Sequence, residues 1–84
     1  MRDRIRNRLL DKMIAAYVEW RLASRVVNDA YHSWASSTGA GARAEFMRYS
    51  AALDTEEFAA DAYARLVRQV ARVVQSDRGL RSQA

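Results

Sequence analysis

Between Asp3 and Ser36 no proline or glycine interrupts the chain, and beyond one short cluster of turn residues none does so again until Gly79. The 84 residues include no proline and three glycines, two of them in Ser36-Ser37-Thr38-Gly39-Ala40-Gly41, the one place where the sequence signals a reversal. Proline and glycine cost a helix most, and the rest of the chain is rich in alanine and arginine, which cost it least. Helix is therefore the expected state on both sides of the cluster. A glycine just past a helix end adopts the left-handed conformation cheaply, so Gly39 or Gly41 closes the first helix.

Apolar spacing supports the same reading. In the first stretch Leu9, Met13, Trp20, Val27 and Trp34 recur with Ala16, Ala23 and Ala30 between them, a seven-residue rhythm flanked by Tyr17 and Tyr31. This is the a/d pattern of closely packed helices. In the second stretch the expected seam is Phe46, Tyr49, Leu53, Ala60, Tyr63, Val67, Val70 and Val74. A short connection makes the two helices antiparallel neighbours.

The expected fold class is all-α: an antiparallel hairpin in one domain, with helix 1 about 3–36, a turn at 37–41, helix 2 about 42–75 and a polar, frayed tail at 76–84. Asp54-Thr55-Glu56-Glu57 also reads as a helix start, with a capping residue followed by acids in the first turn. The second stretch is expected to be continuous or kinked there, and a break into three helices stays open.

One hairpin does not cover all the apolar surface. Beside its seam the first stretch carries Leu10, Ile14, Val18, Leu22 and Val26 at every fourth residue, a line that wraps around the helix. A helix that is apolar nearly all round is normally buried. A chain this small buries only about 60–65% of its unfolded surface, so it commonly needs a disulfide, a metal or a partner. Cysteine is absent and His32 is the sole histidine, which leaves the partner. The expectation is a homodimer forming a four-helix bundle through this line, with a different protein as the competing partner.

Constellations for chemistry are sparse. His32 has Asp29 one turn before it and no metal-spaced ligand. Glu57 and Asp61 share a helical face with Arg65 one turn on, which reads as a solvated charged face. The six residues Tyr17, Trp20, Tyr31, Trp34, Tyr49 and Tyr63 sit at seam spacing and read as core. No phosphate loop, nucleophile elbow or HExxH occurs. No enzyme activity, cofactor or metal is expected. No apolar run approaches the roughly twenty residues of a membrane span, and the basic start lacks the features of a signal peptide, so no membrane association and a cytoplasmic location are expected.

Charge is lopsided. Residues 1–12 carry five cations and two acids, residues 65–84 five and one, and the stretch between them four and seven. The segments net +3, +4 and −3, so the total of +4 comes from the ends. An antiparallel hairpin brings those ends together as a basic pole of Arg2, Arg4, Arg6, Arg8, Arg68 and Arg72. Cations at a helix N-terminus oppose its dipole, so Arg2 to Arg8 invite an anionic partner.

The layout is similar to that of the small secreted Trp-x-Gly hairpin proteins over the whole chain. Here the turn reads Trp34-Ala35-Ser36-Ser37-Thr38-Gly39, and Tyr63 is followed four residues later by Val67 where that family has an acid. In its heptads alone it also resembles the dimeric RNA-binding hairpins that control plasmid copy number. The function expected from the residues is a dimeric helical interaction module, an adaptor or regulatory accessory protein. The alternative is a sequence-independent nucleic-acid-binding hairpin that uses the basic pole.

Overall fold

In the computed structural model, residues 2–83 are described, with side chains described from 3 to 79. They form two helices, α1 (Arg2–Ala35) and α2 (Gly41–Gln83), packed against each other, and no strand occurs among the described residues. Trp34 meets Tyr49, Trp20 meets Tyr63 and Arg6 meets Asp77. The residue numbers in these three pairs add to the same value, so a single antiparallel register holds from the turn to the termini.

Serines end α1. The Ser36 and Ser37 hydroxyls donate to the carbonyls of His32 and Trp34 at 2.7 Å, and their backbone N–H groups donate to the same two carbonyls at 3.1 Å. Carbonyls that the helix end would leave without partners are thereby satisfied. Gly39 then takes φ +69°, the left-handed turn that an L side chain resists, and the Ala42 N–H donates to its carbonyl at 3.2 Å. Of the two candidate glycines, Gly39 makes the reversal and Gly41 begins α2.

No break occurs near Asp54. The Thr55 hydroxyl donates back to the Ala51 carbonyl at 3.1 Å, a bond within a continuing helix, so Asp54–Glu57 do not act as a cap. The expected end near Gln75 is also corrected: helix continues through Ser76 to Gln83, and Ala84 lies outside the described residues. A single glycine such as Gly79 costs a helix only about 1 kcal/mol. Asp77 anchors the segment by pairing with Arg6 of α1 at 3.6 Å.

The α1 seam is the expected one, with Leu9, Met13, Ala16, Trp20, Ala23, Val27, Ala30 and Trp34 all turned inward. On α2 only part of the expected seam holds. Tyr49, Ala60, Tyr63 and Val70 are shielded, while Phe46, Leu53, Val67 and Val74 sit to one side and stay exposed. Their places in the seam go to Glu45, Ala52, Glu56, Ala59, Leu66 and Val73. Between the two stacks, Trp34 on Tyr49 and Trp20 on Tyr63, the inward positions of α2 include the small Ala52 and Ala59, alongside Ala23 and Ala30 of α1, which lets the helices approach closely.

The hairpin encloses almost nothing. Among the described residues the buried ones are two alanines, Ala16 at 9% and Ala52 at 8% exposure, and no large side chain is fully buried. The hairpin measures 69 × 17 × 13 Å with a radius of gyration of 19.1 Å, where a compact chain of this length has about 12 Å. Its accessible surface is 6841 Å², against about 5,100 Å² for a compact monomer of 9.6 kDa.

Candidate interaction surfaces

The two flanks of the hairpin are chemically unlike. One is aromatic. Tyr17, Trp20 and Tyr63 form a triad in which the Trp20 and Tyr63 rings stack at 5.6 Å and 16° while Tyr17 meets both at steep angles. Fourteen residues on, Tyr31, Trp34 and Tyr49 repeat it, with Trp34 and Tyr49 stacked at 5.5 Å and 13°. Phe46 packs on Trp34 at the turn end. The spacing Tyr-x-x-Trp occurs twice in α1, a repeat legible in the sequence only once the tyrosines of α2 are seen to complete it.

Along this flank α2 contributes Phe46, Leu53, Ala60, Val67 and Val74, each seven residues from the next. The four large members are 47%, 38%, 38% and 39% exposed, so one side of each packs on the hairpin and the other faces outward. Alternate contact with α1 and solvent is the mark of positions beside a seam. This apolar row was missed in the sequence because its spacing matches that of the seam itself.

The opposite flank is small and polar. Ala23, Ala30 and Ala52 floor a shallow groove of about 340 Å³ that Val26, Arg48 and Thr55 border. Glu19 and Gln69 lie exposed on the same side of the heptad pattern.

The five-residue line singled out on α1 does not stay on one flank. Leu10 is half-buried beside the aromatic side, Ile14, Val18 and Leu22 cross the exposed back of α1, and Val26 reaches the groove on the other side. Met47 and Phe58 are further exposed apolar residues on α2, Phe58 at 72%.

The basic pole forms at one end but is not one patch. Arg4 and Arg8 lie on the outer side of α1, and Arg68 and Arg72 on the outer side of α2, pointing away from each other across the seam. Arg6 is committed within the hairpin, to Asp77 at 3.6 Å and Asp3 at 3.3 Å. The side chain of Arg2 lies outside the described residues. Arg4, Arg8 and Lys12 line a groove of about 320 Å³ floored by Ile5 and Leu9. Like charges one turn apart repel, so this row is unfavourable to the helix that carries it.

No arrangement for catalysis stands out among the described residues. His32 is exposed and packs edge-on against Tyr31 at 5.7 Å, without an ion pair to Asp29. Glu57 and Asp61 are exposed and make no ion pair with Arg65. Among the described residues no group of three or more His, Cys, Asp or Glu side chains gathers to hold a metal ion, and no helix is long and apolar enough to cross a membrane.

The fold and surfaces define a class, the all-α helical hairpin, and nothing narrower. No protein-family model, no curated protein and no solved structure matches the chain. Fold alone does not carry function.

Proposed function

We propose that the chain is a self-associating helical interaction module, an adaptor or regulatory accessory protein that works by binding. The observation that carries the reading is the missing core: among the described residues only two alanines are buried, and many large apolar side chains stay exposed. Fully burying such a side chain is worth roughly 1.5–3 kcal/mol, and exposed apolar faces of this extent favour association. Symmetric pairs are the commonest closed assemblies, so a second copy is the first partner to consider. Leu10, Ile14, Val18, Leu22 and Val26 and the aromatic flank are the surfaces available to it.

Self-association makes stability depend on concentration. The melting temperature should rise as the protein is taken from about 1 to 100 μM. A constant value over that range, with a cooperative transition, would show that the hairpin folds alone and that its apolar surface serves another protein.

A second reading has one observation in its favour, the Arg4–Arg8–Lys12 row, whose three cations share no ion pair with an acid among the described residues. A polyanion laid along it would relieve their mutual repulsion. In this reading the protein binds nucleic acid through phosphates, without reading sequence.

A further inference from the structure

Of the apolar surfaces, the aromatic flank alone draws on both helices over the full length of the hairpin. The α1 line climbs around its helix, since a row at every fourth residue is inclined by about 26° to the axis, and no single flat partner covers it end to end. The flank has a centre. Ser24 and Ala60 form a small, partly shielded pair at its middle, with Tyr17 and Val67 one heptad to one side and Tyr31 and Leu53 one heptad to the other. Reversed end for end, this pattern falls on itself: tyrosine on tyrosine, valine on leucine, small on small. Self-complementarity of that kind is what an isologous interface requires.

We infer that the flank is the mating surface for a second copy of the chain, docked with its turn at the opposite end. In this arrangement α1 lies antiparallel to the other α1, α2 lies antiparallel to the other α2, and the two-fold axis passes by Ser24 and Ala60. The small central pair lets the helices approach most closely where they cross the axis. Tyr17 of each copy then meets Tyr31 of the other, and Leu53 meets Val67.

Area and charge both support this occupant. The hairpin extends 69 × 17 × 13 Å, so a flank running its length has room for the roughly 800 Å² per partner that a stable complex takes. Charge sets the direction. The terminal segments net +3 and +4, and the rest of the chain nets −3. Two copies with turns at the same end would bring both basic ends together. With turns at opposite ends, each basic end lies beside the turn end of its neighbour, where Arg43 and Arg48 are balanced by Glu45 and Asp54, and like-charge contact is avoided.

This inference rests on the self-association reading, and the absence of cysteine allows the two to be tested apart. Ser24→Cys, Ala60→Cys and Val18→Cys are made one at a time in the full chain and oxidised at about 50 μM. A tagged Ala60→Cys chain is also mixed with Ser24→Cys. Circular dichroism and light scattering on the same samples report folding and mass. The expected result is a covalent dimer from Ser24→Cys and from Ala60→Cys, each at least about tenfold faster than from Val18→Cys, with no mixed product. A mixed Ser24–Ala60 product would overturn the direction, placing both turns at one end. Preferential cross-linking through Val18→Cys would move the interface to the back of α1. Folded monomers that do not cross-link at any position would overturn the self-association reading itself.

Discussion

Trp20 lies over Tyr63 with ring centroids 5.6 Å apart and planes within 16°, and Trp34 lies over Tyr49 in nearly the same way at 5.5 Å and 13°. The repeat matters because these stacks join the two helices at two points of a seam that includes, between them, the small Ala23, Ala52 and Ala59. Each indole is mostly but not fully covered, so each contributes area and ring contact without being enclosed.

Trp20→Ala and Trp34→Ala should therefore destabilise by similar amounts. Removing a buried tryptophan costs about 3–5 kcal/mol, and the partial exposure here lowers that to about 2–3 kcal/mol. For a domain of this size the loss corresponds to about 10–20 °C in melting temperature, read by circular dichroism at fixed concentration. A large effect at one position and none at the other would contradict the equivalence of the two triads.

Substitutions at the turn separate two glycines that look alike in sequence. Gly39 holds φ +69°, and a Cβ added there would meet nothing within 4 Å, so Gly39→Ala should cost about 1–2 kcal/mol through backbone strain alone. Gly41 has the same open space and no such φ, so Gly41→Ala should be neutral or stabilise by about 0.4–1 kcal/mol. Urea unfolding of the two variants checks both signs.

The fold was legible in sequence where spacing and breakers agreed. The α1 seam and the single reversal follow from Trp20, Trp34, the alanines between them and the one glycine cluster. The face of α2 was not legible, because its outward row of Phe46, Leu53, Val67 and Val74 keeps the same period as its seam and is the more apolar of the two. Periodicity defines a stripe, and spacing alone does not say which of two adjacent stripes faces inward, since Tyr49 and Tyr63 belong to both. Glu45 and Glu56 stand in the seam because a seam open on both sides tolerates an acid, and Glu45 pairs with Arg48 at 3.6 Å. For the interaction surface, the sequence showed the excess of apolar residues on α1 but not the flank that α2 completes.

Arg6 and Asp77 join the start of α1 to the far part of α2 at 3.6 Å, with side chains 39% and 30% exposed. A partly exposed pair of this kind contributes about 0.2–1 kcal/mol and weakens with salt. A double-mutant cycle with Arg6→Gln and Asp77→Asn should return a coupling in that range at low salt and close to zero at about 1 M. The Asp77→Asn variant should also raise amide exchange beyond Ser76, because the ion pair holds that segment to α1.

Nucleic-acid binding is tested by titrating short duplex DNA and RNA at about 50 mM salt. If the Arg4–Arg8–Lys12 row contacts phosphates, binding should be insensitive to sequence and fall steeply with salt, and Arg4→Gln with Arg8→Gln should weaken it. An affinity unchanged by those substitutions, or no binding at that salt, would remove this reading.

The mass in solution bears most directly on the claim that one hairpin is incomplete. Light scattering on the purified chain at about 50 μM should return twice the 9.6 kDa of a single chain, with the helical spectrum intact. A folded, monodisperse species of 9.6 kDa at that concentration would contradict the account.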